Sequence, residues 1–165
     1  SEMCIRDSCE RAAAAIAGNH PEVKLLGDAT LEMLEEVKDK ISEEDYMRAT
    51  YAIQENSRLA DTCEALKRGD YETVGKNIYA THHGMSKLYE VSTEELDFLN
   101  DVAKECGVTG SRIMGGGFGG CTINLVKDAY YDRFIETAIS RFKTKFGKEP
   151  KVYPVTISDG ARKLN

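Results

Sequence analysis

Five glycines in six consecutive positions, Gly115-Gly116-Gly117-Phe118-Gly119-Gly120, constrain this chain more than any other feature. Each glycine gives up more conformational freedom on ordering than any other residue, so such a run belongs in neither a helix nor a strand interior. It is a loop, and its flanks say what it joins. Ser111 to Met114 reads as one strand and Cys121 to Val126 as another. In the second, Cys121, Ile123 and Leu125 alternate with Thr122 and Asn124, which predicts a half-buried strand with the first three toward the core. A plain hairpin needs one or two glycines. This many permits positive φ at several positions, lets main chain approach another surface, and allows successive N–H groups to converge on an anion such as a phosphate. The bland alternative is a tightly packed hairpin with no ligand. No Lys-Ser/Thr follows the glycines, so this is not a Walker A loop, and a strand rather than a helix follows, so it is not the dinucleotide fingerprint.

The segments before the loop have helical periodicity. A first helix is expected from Ser8 to Ala17, stopped by Gly18-Asn19-His20-Pro21. A short one follows from Leu31 to Lys38. Ser42 caps a longer helix whose apolar stripe runs Met47, Tyr51, Leu59, Cys63, Leu66, with a break near Asn56. Asp70 caps the next. Ser92 and Glu95 have capping-box spacing before a helix lined by Leu96, Leu99, Ala103 and Cys106. After the loop, Asp128 caps a last amphipathic helix through Phe134, Ala138 and Phe142 to Gly147, and Lys151 to Ser158 is expected as a final edge strand. Helices followed by β-loop-β-α-β give an α+β domain, with several helices on one face of a small, mainly antiparallel sheet.

With 165 residues, the chain suits one domain with one core. Its net charge of −6 and lack of a basic stripe argue against nucleic-acid binding, while leaving a small anionic ligand open. Five scattered cysteines without a C-x-x-C argue against a disulfide framework or zinc site, and point to reduced, mostly packed thiols in a cytoplasmic protein. No segment has the length and apolarity of a membrane span or a signal peptide.

Several side chains invite a chemical role beside a plainer one. His82-His83 points in two directions on one helix, so a polar or packed pair is the simpler account than a metal site. Ser111 and Arg112 flank the loop and are candidates to approach a phosphate; Arg112 alternatively pairs with a carboxylate on the sheet. Glu94, Glu95 and Asp97 resemble an acid–base cluster, but capping and solvent exposure suffice to explain them. Cys121 is expected as a packed thiol, and Phe118 as the anchor of the loop in the core, with lining a nucleotide site as its alternative.

The stretch Gly110-Ser111-Arg112-Ile113-Met114-Gly115-Gly116-Gly117-Phe118-Gly119-Gly120-Cys121-Thr122 resembles the third conserved motif of galactokinases, a family of the GHMP kinase superfamily. Tyr89-Glu90-Val91-Ser92 with Glu95-Leu96-Asp97 resembles that family's "YEVS…ELD" segment, and Ser158-Asp159-Gly160-Ala161 its C-terminal "SDGA". Thr81-His82 stands where many members have Ser-His. The resemblance is collinear from about Cys9 to Leu164. It implies a GHMP-kinase C-terminal domain of ferredoxin-like build over residues 9–165, and ATP-dependent phosphorylation of the anomeric hydroxyl of D-galactose with Mg2+. Gly115 to Gly120 would then lie near the nucleotide phosphates and sugar. The family's sugar-binding motif, its Ser-rich phosphate loop, and its catalytic Asp and Arg do not occur here. The resemblance therefore implies no catalytic residue in this chain, metal ligands mostly elsewhere, and the N-terminal domain of the same enzyme as partner. Ser1 to Ser8 depart from the family's Tyr-Asn-x-Arg-Arg pattern and are expected to be foreign to the domain. The alternatives are a non-catalytic galactose and ATP sensor of the same fold, or a GHMP kinase for another small substrate.

Overall fold

A computed structural model of the chain describes residues 2–156. Helices α1 (Glu2–Asn19), α2 (Leu31–Glu35), α3 (Glu43–Lys67), α4 (Tyr71–Lys87) and α5 (Glu94–Glu105) precede strands β1 (Gly110–Ile113) and β2 (Thr122–Leu125), and α6 (Asp128–Phe146) follows. The strands pair antiparallel, with Ser111 opposite Asn124 and Ile113 opposite Thr122. An α+β domain with a small antiparallel sheet is what the sequence predicts.

Capping explains most boundaries. Ser42 accepts the Asp45 N–H at 3.1 Å, and Asp70 accepts that of Thr73 at 3.1 Å. Gly147 closes α6 at φ 71°. Two expected caps move. Thr93, not Ser92, sits at the N-cap of α5 and accepts the Leu96 N–H, because the Ser92 hydroxyl is drawn to Asp97 instead. Asp128 is the first residue of α6, and Lys127 occupies the cap with no side-chain bond.

The apolar faces form three clusters. The first joins α1, α2 and α3 through Ala12, Ile16, Leu34, Val37, Ala49 and Ile53. The second, Ile5, Tyr51, Met85, Val91, Leu96 and Ile113, lies where α1, α3, α4, α5 and β1 meet. The third packs α5 on α6 through Val102, Ala103, Phe134 and Ala138. At its edge Phe98, Phe142 and Phe146 stack with centroids 4.6 to 6.3 Å apart. Gly75 and Gly110 bring α4 onto β1: a Cβ on Gly110 would lie 2.8 Å from the Gly75 Cα.

The structure corrects several expectations. Helix α1 begins at Glu2, so Ile5 and Ser8 are buried parts of it, and α2 stops at Glu35. Helix α3 runs unbroken through Asn56, and its stripe Leu59, Cys63, Leu66 is exposed. Past Ile53 the helix meets α4 instead through polar contacts, Asn77 Nδ2 to Asp61 and Thr81 Oγ1 to Glu55. Strand β2 alternates as expected but in the opposite phase. Met114 N–H donates to the Cys121 carbonyl and closes the register so that Thr122 pairs with fully buried Ile113; Ile123 and Cys121 therefore face outward. The thiols are not mostly packed: Cys106 is buried and Cys9 half-buried, while Cys4, Cys63 and Cys121 are exposed. Residues 151–156 form no strand; Val152, Tyr153 and Val155 lie exposed, without a ladder partner among the described residues. Ser158 to Ala161 fall outside the described residues.

An acid limb to stability follows from the contact between α1 and α3. Asp45, nearly buried, accepts two hydrogen bonds from Arg11 at 2.7 and 2.9 Å. The Arg11 guanidinium holds the Asp45 carboxyl at about 2, below its ordinary 3.8. Between these values the unfolded chain binds the proton more readily than the folded one. The contribution is thus complete above 3.8 and is lost as pH falls toward 2. Arg11→Ala should cost about 1–2 kcal/mol at pH 7 and much less at pH 2. Urea midpoints at the two pH values check it; an equal deficit at both would refute it.

Candidate active site

The glycine loop leaves β1 at Met114 and returns at Cys121. Its φ angles are positive at Gly115 (80°), Gly117 (89°), Phe118 (59°), Gly119 (121°) and Gly120 (92°). The loop docks on one residue, Val91: the Phe118 N–H donates to the Val91 carbonyl at 2.7 Å. A Cβ on Gly117 would sit 2.6 Å from the Val91 Cβ, so only glycine permits this approach. The Phe118 side chain is not the anchor that the sequence suggests. It is 50% exposed, and the main chain does the anchoring.

Tyr89, Glu90, Val91 and Ser92 form the platform beneath the loop. Tyr89 stacks on Tyr51 with centroids 4.7 Å apart, and burial pushes its hydroxyl up to about 12. Glu90, at φ 56°, reaches the buried Arg48 guanidinium at 3.4 Å. Arg48 also donates to Ser8 Oγ at 2.8 Å and pairs with Glu44. Val91 is 1% exposed, and its N–H donates to the Met85 carbonyl at 2.9 Å. Ser92 Oγ donates to Asp97 at 2.5 Å.

Asp97 is half-buried, and its carboxylate is engaged by several donors. His82 Nε2 lies 3.1 Å from its Oδ1, and Ser86 Oγ donates to its Oδ2 at 2.8 Å. Burial pushes the Asp97 carboxyl up, but the two serine hydroxyls, His82 and Lys87 together outweigh burial and hold it below its ordinary value. Burial lowers His82 against the pull of Asp97, so the ring is neutral at pH 7. Its Nδ1 has no partner among the described residues, which places the proton on Nε2, toward Asp97. The packed histidine expected from the sequence is what the structure holds at position 82.

Beside the loop opens an apolar groove of about 650 Å³. Ile5, Cys9 and Ala13 of α1 line one wall, Tyr89 and Val91 the floor, and Gly116 and Phe118 the other wall. Two loop residues thus border one concavity. Ser111 does not join them: it is fully buried, and its carbonyl accepts from Asn100 Nδ2 at 2.6 Å. Arg112 bonds the carbonyl of Ile113 at 2.9 Å rather than a carboxylate. The N–H groups of Gly116, Gly117, Gly119 and Gly120 have no partner among the described residues, which suits a phosphate. A divalent cation fits less well, because no three His, Cys, Asp or Glu among the described residues are placed to hold one.

Sequence reasoning missed the roles of Val91, Asp97 and Asn100. Spacing alone does not reveal them, although three of the matched motifs, at Thr81-His82, YEVS and ELD, converge on the single Asp97 network.

Comparison with known proteins gives this arrangement a class. Residues 63–144 match the family model described as GHMP kinases C terminal, and the chain belongs to that family. Within it, the relatives are galactokinases. The chain is 40% identical over 161 residues to the galactokinase of Fusobacterium nucleatum, covering 96% of this chain and 41% of that protein. It is 40% identical over 162 residues to that of Clostridium acetobutylicum, covering 97% and 41%. The crystal structure of Lactococcus lactis galactokinase complexed with galactose superposes with a TM-score of 0.80 at 29% identity, over 90% of this chain and 39% of that one. The chain spans about two fifths of the length of these relatives.

Proposed function

We propose that this chain is the C-terminal part of a galactokinase and contributes to the transfer of the γ-phosphoryl group of ATP to the anomeric hydroxyl of D-galactose. The observation that carries the reading is the glycine loop, four of whose N–H groups have no partner among the described residues and whose Gly116 lines an open groove, in a chain similar to galactokinases along nearly all its length. Phosphoryl transfer depends on positioning and charge stabilisation, and fixed backbone dipoles supply both without reorganising. In this reading the loop amides orient the nucleotide phosphates, Phe118 shields one side of the groove, and the catalytic carboxylate, its arginine and the Mg2+ ligands come from an N-terminal domain of the same enzyme. The exposed Met114, Phe118 and Ile123 beside the loop are apolar surface that such a domain would cover. Among the described residues no helix is long and apolar enough to cross a membrane. Scattered cysteines without a C-x-x-C accord with the reducing cytoplasm, the compartment proposed here.

An ADP-release assay tests the reading. The 165-residue chain alone should show no galactose-dependent turnover, whereas the same chain joined to the upstream part of a galactokinase relative should phosphorylate galactose ahead of other sugars. Robust turnover by the chain alone would overturn the divided site. A complete polypeptide inert toward galactose would overturn the substrate.

A further inference from the structure

We infer that Asp97 is a positioning residue for the glycine loop, acting through Ser92 and the Val91 carbonyl. The inference rests on the galactokinase reading only for what the loop is positioned to do.

The loop meets the body of the domain through the hydrogen bond from Phe118 N–H to the Val91 carbonyl. That carbonyl belongs to the peptide plane joining Val91 to Ser92, so its direction depends on how both residues are held. Val91 is fixed by its buried side chain and by its N–H bond to Met85. Ser92 is fixed by Asp97, whose Oδ1 accepts its hydroxyl at 2.5 Å. Asp97 in turn is held from α4, by Ser86 at 2.8 Å, by His82 at 3.1 Å, and by Lys87 Nζ at 3.8 Å. One carboxylate thus ties the end of α4, the start of α5 and the platform between them into a rigid corner, and the corner aims the carbonyl that receives the loop. A carboxylate suits this place better than an amide, because it accepts from every donor around it and has no N–H to repel them.

Loss of the staple should loosen the loop without touching it. The test uses the complete polypeptide that carries this chain, with Ser92→Ala and Asp97→Asn as variants and Ser92→Thr as the conservative replacement. Amide hydrogen exchange is followed at Phe118, the loop amide that bonds the Val91 carbonyl, and in α6 as a reference for general stability. Steady-state kinetics follow ATP and galactose. The expected result for Ser92→Ala and Asp97→Asn is exchange at Phe118 about tenfold faster or more, the effect of one lost hydrogen bond to a charged group. Exchange in α6 should not change, and KM for ATP should rise more than kcat falls. Ser92→Thr keeps the hydroxyl and should restore slow exchange. Phe118 exchange that stays at the parent rate, or rises only in step with α6, would overturn the inference. Should Asp97→Asn fail to fold, Ser92→Ala, which leaves the other donors to Asp97 in place, decides alone. Should the parent protein fail to phosphorylate galactose, the substrate reading falls, while the exchange result still decides the role of Asp97.

Discussion

Gly75→Val is expected to lower stability by about 3 kcal/mol, enough to remove much of the margin of a domain this size. The reason is a contact between two backbones. A Cβ at position 75 would stand 2.7 Å from the Thr109 carbonyl carbon, and one at position 110 would stand 2.8 Å from the Gly75 Cα. No side chain can turn aside to make room, so α4 and β1 must part. Parting them disturbs the second apolar cluster, because Met85 lies on α4 and Ile113 on β1. Gly18→Ala is the control: it lies near the end of α1 with nothing within 4 Å of its would-be Cβ, and should be neutral or slightly stabilising. Urea unfolding at constant slope measures both. A Gly75→Val midpoint within about 0.5 kcal/mol of the parent would show that the helix does not rest on this approach.

On the proposed galactokinase reading, Gly117→Ala is expected to cut kcat/KM of the full polypeptide about a hundredfold, the scale of effect when a reacting group is misplaced by an ångström. Two penalties fall together here. The backbone is at φ 89°, and the new methyl would meet Val91 at 2.6 Å from its Cβ. The loop must lift from its platform to relieve the clash, taking the neighbouring N–H groups with it. Gly119→Ala separates the two penalties. Its φ is 121°, equally demanding, but no atom lies within 4 Å of the would-be Cβ, so the loop stays seated. Gly117→Ala should therefore be the more damaging for turnover. The reverse order would mean that contact with Val91 is not what places the loop.

Much of this architecture is legible in the sequence because its signals are local. Helix periodicity, the Ser42 and Asp70 caps, the Gly147 stop and the strand-loop-strand around the glycines are written within a few residues of where they act. What was hidden depends on partners far along the chain. The Ser92 hydroxyl matches an N-cap perfectly well, and only the arrival of Asp97 one turn into α5 takes it away. The phase of β2 is set across the sheet by Ile113, so a correct alternation was assigned to the wrong face. The outer half of α3 has a convincing apolar stripe, yet Leu59, Cys63 and Leu66 are exposed among the described residues, and periodicity says nothing about whether a neighbour exists. Of the candidate site, the glycine loop was visible as a loop. Its attachment to Val91 was not, because a main-chain carbonyl leaves no mark on composition.

The first turns of α1 carry a practical lesson for choosing where an expressed version of this domain should start. A shortened chain beginning at Cys9 would keep Ala12 and Ile16 on α3, but Arg48 would forfeit the Ser8 hydroxyl and the Cys4 carbonyl. Its guanidinium, 8% exposed, would turn to Glu44 and Glu90 alone and draw water into the gap left by Ile5. Glu90 adjoins the residue on which the loop is seated, so trimming one end of the polypeptide would be felt some eighty positions away, at the mouth of the groove.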